Sequence, residues 1–177
     1  MINNLNEKQL FKGIGIVLLH FVLLILLEIP FIYLTNNEYI IYLIPYILTM
    51  IIFIILYRKK LKINLKKFKK NYKSILKASL KYWVIGFLIM YISGIIINIL
   101  PIDNVVNQTE NTSLLNSYPI IEISIACLIA PITEEIVFRL SFNKFTKNKW
   151  LFAITTGLIF ALVHILSSLD SLIMLVY

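Results

Sequence analysis

The sequence predicts an all-α fold: a polytopic transmembrane helical bundle with five full spans and the start of a sixth. Of the 177 residues, 59% are hydrophobic and only 15% are charged, and the mean hydropathy is +0.86. A soluble domain of this length is far more polar. The apolar runs are about 17 to 25 residues long, which suits membrane-spanning helices better than the short alternating strands of a membrane barrel.

The five predicted spans are separated by polar segments. They cover residues 11–34, 39–57, 82–100, 118–142 and 150–166, and a further apolar stretch covers 171–177. That last stretch would rise only about 10 Å as a helix, so by itself it is too short to cross a bilayer. We therefore expect residues 1–177 to form a single membrane domain.

The first three runs differ in what interrupts them. The run 11–34 is too long for the core of a signal peptide and lacks a convincing cleavage site of small residues, which indicates a retained span. Pro30 is expected to kink its end. The run 39–57 contains no charged residue, and the run 82–100 ends at Pro101.

The net charge of +8 is concentrated in the polar segment 58–81. This segment holds 11 of the 17 basic residues, namely Arg58, Lys59, Lys60, Lys62, Lys66, Lys67, Lys69, Lys70, Lys73, Lys77 and Lys81. A basic loop between two spans is typical of a cytoplasmic segment that contacts anionic lipid. No nucleic-acid recognition module fits in this length, so we expect no nucleic-acid partner.

Basic residues also predict the orientation of the chain. Lys144, Lys147 and Lys149 mark the loop between the fourth and fifth spans, and Lys8 and Lys12 precede the first. The positive-inside rule places these segments in the cytoplasm, together with the N-terminus. Since the Ile-, Lys- and Asn-rich composition is typical of bacteria, we predict a multi-pass protein of the bacterial plasma membrane.

The fourth and fifth spans carry ionisable side chains whose placement in a membrane is costly and indicates function. Glu135 and Arg139 are four residues apart on a helix, close enough for an ion pair. Glu134 points about 100° away from Glu135, so it can serve a different partner. Adjacent carboxylates disfavour each other's ionisation, whereas an arginine favours it. If Arg139 holds Glu135 as an anion, Glu134 remains free to exchange a proton, as a general base must.

His164 is expected to meet Glu134 from the next span. Both residues lie about 10 to 15 residues, or roughly 15 to 22 Å, from the lysine-bearing loop that joins their helices. Antiparallel neighbouring helices could therefore bring the two side chains together around one water. Phe160 lies one turn from His164 on the same face, where it could line the cavity.

These residues form the pattern E-E-x-x-x-R at 134–139 and F-x-x-x-H at 160–164, with Pro131 just before the acid pair. The pattern resembles the CAAX prenyl protease and bacteriocin-processing (CPBP, or Abi) family of intramembrane proteases, and the resemblance covers about 120–177. It implies metal-independent hydrolysis of a peptide or protein substrate at the membrane, with no cofactor. A role in bacteriocin processing or self-immunity rests on the resemblance alone.

The resemblance also implies a role for each site residue. Glu134 would activate the water that attacks the scissile carbonyl, with His164 assisting. Glu135 and Arg139 would hold the site together, and Phe160 would line it.

The family's third motif, H-x-x-x-N or H-x-x-x-D on a later span, does not occur before Tyr177. The remaining histidine, His20, lacks that spacing. Either the sequence is truncated before this motif, or this member lacks part of the site. Because the loss of oxyanion donors typically costs about 100- to 1,000-fold in rate, we expect lower activity from this chain alone.

Two other functions fit the same residues. The absent third motif favours a non-catalytic membrane scaffold or immunity protein, in which the charged residues form a structural ion cluster. A metalloenzyme would use Glu134, Glu135 and His164 as ligands, since carboxylate and imidazole suit zinc. Arg139 beside the two acids would compete with that cation.

Overall fold

The computed structural model describes residues 5–99 and 115–165. Every regular element within these ranges is helical, so the all-α class is confirmed. Helix α1 is Glu7–Leu34, and helix α2 is Glu38–Ile99. The segment α3 joins Pro119–Ser124, Ile125–Ile129, Ala130–Glu134 and Glu135–Leu140, and helix α4 is Lys149–Ile165.

Two of these helices, α1 and α2, are long and apolar enough to cross a membrane. Helix α4 is apolar but shorter, at 17 residues. The structure therefore agrees with a membrane protein built from helices, while five full spans remain a prediction. The predicted sixth stretch, 171–177, lies outside the described residues.

Helix α2 continues through the basic segment 58–81, where the sequence predicted a connecting loop. No glycine or proline occurs between Pro45 and Gly86, and leucine and lysine are good helix formers. The helix is interrupted only by Asn71, whose φ of −122° and ψ of 22° are not helical. The polar connection between the second and third predicted spans is thus a helical extension of both.

The axis of α2 bends sharply at Asn71. Arg58 lines one cavity beside Pro131 and Glu135, and Tyr82 lines another cavity beside the same two residues. In a straight helix, the 24 residues from Arg58 to Tyr82 would span about 36 Å. Both can reach one turn of α3 only if the helix bends sharply between them.

Segment α3 alternates between α-helical and wider π-helical turns. Pro131 has no N–H to donate to the carbonyl of Cys127, and a π turn over Ile125–Ile129 comes just before it. A second π turn covers Glu135–Leu140 and ends with a bond from the Ser141 N–H to the Ile136 carbonyl, at 3.0 Å. Such turns are rare and occur frequently at functional sites.

The buried core lies where α1, α2 and α3 meet the turn that follows α3. Its members are apolar and mostly aromatic: Val17, Phe53, Tyr57, Ile136, Val137, Phe138, Phe142 and Phe145. The N–H of Asn6 donates to the carbonyl of Phe145 at 2.7 Å, which fixes the beginning of α1 at the same end of the bundle. Since Lys8, Lys12 and Lys144 flank these contacts in the sequence, we call this the lysine end.

Gly13 allows α1 to approach the ring of Phe142. A Cβ at this position would lie 2.5 Å from two ring carbons, and the Phe142 side chain is 0% exposed. We expect Gly13→Ala to lower the free energy of unfolding by about 1 to 3 kcal/mol, because the buried ring has no free space. Thermal unfolding of the purified protein in detergent measures this change.

Gly15 is the matched control for Gly13, because a Cβ there meets nothing within 4 Å. We expect Gly15→Ala to leave stability unchanged or to raise it by up to about 1 kcal/mol, since alanine is the better helix former. Equal shifts in the two variants would contradict the close contact between α1 and Phe142.

Candidate active site

The structure brings Glu134 of α3 and His164 of α4 together. Oε1 of Glu134 lies 3.9 Å from Nε2 of His164, and the two side chains are 32% and 39% exposed, respectively. This separation is too long for a direct hydrogen bond. A water about 2.8 Å from both atoms would lie beside the line that joins them, so the pair is spaced to bind one bridging water.

A second contact of His164 shows which ring nitrogen carries the proton and which one has the free lone pair. Nδ1 lies 2.8 Å from the carbonyl oxygen of Phe160, and a carbonyl can only accept. Nδ1 therefore carries the proton in the neutral ring, which leaves Nε2 as an acceptor. When Glu134 is ionised, both atoms that face the gap are acceptors, so a water between them would donate one proton to each.

Aromatic packing holds the imidazole in this position. The rings of Phe160 and His164 are 4.2 Å apart between centroids, with an interplanar angle of 37°. Phe160 in turn meets Phe138 of α3 edge to face, at 5.1 Å and 85°. The position of His164 is therefore set both by its own helix and by a buried aromatic residue of α3.

Glu135 is paired with Arg139 and not with the histidine. Oε2 of Glu135 lies 3.3 Å from Nη1 of Arg139, and the side chains are 62% and 66% exposed. Within the described ranges, no lysine or arginine forms an ion pair with Glu134. The two adjacent carboxylates thus have different partners, and the one near the histidine has no fixed cation.

Two cavities meet at Glu134. One of about 560 Å³ extends between α1, α2 and α3, has His164 in its wall, and carries the further carboxylates Glu28 and Glu122. The other, of about 750 Å³, lies between α3 and α4 and includes Tyr82 of α2. The gap between Glu134 and His164 is therefore accessible to a substrate and to water.

The sequence did not single out every residue near this gap. Tyr82 stands at the edge of an apolar run far from the motif, and it lines the cavity beside Phe160 and Arg139. Glu28 and Glu122 come from segments far from the motif, and no local pattern connects them with it. His20, by contrast, packs against Phe53 with ring centroids 5.8 Å apart and lines neither cavity.

Metal ligation was one alternative for the acidic pair. Across residues 5–99 and 115–165, no group of three or more His, Cys, Asp or Glu side chains is close enough to hold a metal ion. Glu135, the third ligand considered from the sequence, is directed to Arg139.

Comparison with known proteins gives two matches. Residues 116–177 match the family described as Type II CAAX prenyl endopeptidase Rce1-like. The chain is also 32% identical over 129 residues to the UPF0177 protein YbdI of Lactococcus lactis subsp. lactis (strain IL1403), covering 68% of this chain and 69% of that protein. No solved structure matches the chain. The family match includes the whole segment that carries the acid pair and the histidine.

Proposed function

The chain belongs to the Rce1-like, or CPBP, family of CAAX prenyl endopeptidases, and from that premise we propose that it is an intramembrane endopeptidase of the glutamate type. The observation that supports this most is the gap of 3.9 Å between Glu134 and His164. On one side of this gap is the Glu134 carboxylate, which has no fixed cation among the described residues. On the other side is Nε2 of His164, with its free lone pair. Together they would hold and polarise one water.

The proposed reaction starts with this water donating one hydrogen bond to Glu134 and the other to Nε2 of His164. As the water oxygen forms a bond to the scissile carbonyl carbon, its proton moves to the Glu134 carboxylate. The tetrahedral intermediate then breaks its C–N bond, and Glu134 returns the proton to the leaving nitrogen. His164 orients the water so that its free lone pair points at the carbonyl.

The ion pair between Glu135 and Arg139 would keep the guanidinium away from Glu134. If Arg139 were free to reach Glu134, it would occupy an oxygen that the water needs. The ion pair of 3.3 Å with Glu135 holds the guanidinium within one turn of α3. Phe160 would contribute by supporting the imidazole ring and lining the cavity.

We further propose a multi-pass protein of the bacterial plasma membrane, with the lysine end and the N-terminus in the cytoplasm. Glu134 lies six residues, or roughly 9 Å of helical rise, before α3 ends at Leu140 near the lysine end. The scissile bond would then lie inside the membrane near the cytoplasmic face. A peptide processed for bacteriocin production or self-immunity is the substrate class that the family suggests.

The proposal is tested by incubating the full-length protein, purified in detergent, with a peptide pool in water enriched in ¹⁸O. Mass spectrometry should find new termini with one ¹⁸O atom in each new carboxylate, and cleavage should continue in excess chelator. Two results together would instead favour the scaffold or immunity role: the folded protein cleaves nothing, and cells without the protein lose a protective phenotype. Loss of cleavage on chelation, restored by zinc, would favour the metalloenzyme.

A further inference from the structure

A third cavity lies between the first half of α2 and α3, and we call it the α2–α3 groove. It measures about 660 Å³, and its lining residues are Ile54, Arg58, Leu61, Lys62, Leu65, Pro131, Ile132, Glu135 and Ile136. The members on α2 recur every three or four residues, so they form one face of that helix. The groove therefore has one continuous wall on each helix.

Cationic and apolar side chains alternate along the α2 wall of this groove. Arg58 and Lys62 are one helical turn apart, and both are exposed. Ile54 lies one turn from Arg58 in the direction away from the basic segment, and Ile132 faces it from α3. Leu61 and Leu65 also line the groove beside these residues, so the groove offers two adjacent cations within an apolar lining.

The two cations have no acidic partner in the part of the chain that the structure describes. Glu135 borders the same groove, but its carboxylate is 3.3 Å from Arg139. An anion from outside the protein could therefore bind Arg58 and Lys62 without displacing an existing ion pair.

We propose that the α2–α3 groove binds one anionic phospholipid of the cytoplasmic leaflet, with its phosphate at Arg58 and Lys62 and an acyl chain against Ile54 and Ile132. Charge complementarity identifies this occupant, since two adjacent cations attract an anionic headgroup and repel the ammonium of a zwitterionic one. The apolar remainder of the groove matches a hydrocarbon chain. This site is independent of the proposed peptidase function.

The first test compares two double variants of the full-length protein in detergent. Arg58→Gln with Lys62→Gln removes two charges inside the groove. Lys66→Gln with Lys70→Gln removes two charges at the same spacing on the same helix, outside the groove. Binding of phosphatidylglycerol, measured by native mass spectrometry, should weaken about fivefold for each charge removed inside the groove and much less in the control. Equal weakening in both would overturn the specific site and indicate a diffuse basic surface.

A second test does not depend on the folding of those variants. Ile54 is exposed at the apolar end of the groove, so Ile54→Trp should place an indole beside the acyl chain of the bound lipid without disturbing the core. Phosphatidylglycerol with brominated acyl chains should quench the added fluorescence at lower concentration than brominated phosphatidylcholine. Equal quenching by the two lipids would overturn the proposal, because it would indicate ordinary contact with surrounding lipid.

Discussion

Replacement of Glu134 by glutamine is expected to lower kcat/KM for peptide hydrolysis by about 100- to 10,000-fold, the usual contribution of a general base. Glutamine has nearly the same shape, so the cavity and the approach of His164 should be preserved. Its amide cannot accept a proton from the attacking water. The measurement is the initial rate of peptide cleavage by the full-length protein in detergent, with thermal unfolding as the check on the fold.

Two neighbouring carboxylates provide matched controls for this substitution. Glu122→Gln makes the same chemical change in the wall of the same cavity, and it should leave kcat/KM nearly unchanged. Glu135→Gln changes the adjacent residue and frees Arg139, so a smaller loss than that of Glu134→Gln is expected. Similar losses in all three variants would contradict the assignment of Glu134 as the base.

Replacement of His164 by alanine is expected to lower kcat/KM by about 100-fold, because the water loses the acceptor that orients it. The substitution also opens space in the wall of the 560 Å³ cavity. Imidazole added to the assay should enter this space and restore part of the rate. The measurement is kcat/KM as a function of imidazole concentration, with the wild-type protein as the reference.

Phe160→Leu tests how much the packing of the Phe160 ring against His164 contributes, apart from the chemistry of the imidazole itself. This variant keeps the backbone carbonyl that accepts the Nδ1 proton but removes the ring that stacks on His164 at 4.2 Å. A smaller loss than in His164→Ala, with no response to imidazole, is the expected result. Two results together would indicate that His164 acts only through packing: His164→Ala and Phe160→Leu lose kcat/KM equally, and imidazole restores neither variant.

The sequence was sufficient to predict the helical class and the family, and both are confirmed. The sequence also predicted that Glu134 and His164 meet, and their nearest side-chain atoms lie 3.9 Å apart. Such predictions succeed because they depend on the fixed geometry of one helix and on one short connection. The catalytic roles of these residues remain a proposal.

Other features depend on packing between distant segments, which a single sequence does not encode locally. The contact of Gly13 with Phe142 joins residues far apart in the chain, and a glycine in a helix has no pattern that indicates its neighbour. Tyr82 reaches the site only because α2 bends sharply at Asn71, within the segment where the sequence predicted a loop. The π turns over Ile125–Ile129 and Glu135–Leu140 were not predicted either, since only Pro131 indicates an irregularity there.

The central claim is that Glu134 and His164 act on the same water. A double-mutant cycle on kcat/KM tests it most directly, using Glu134→Gln, His164→Ala and the combined variant of the full-length protein. If both residues serve one water, the second substitution should cost little once the first is present, so the double variant should match the more impaired single variant. Losses that multiply in the double variant would show that the two residues act independently and would contradict the shared water.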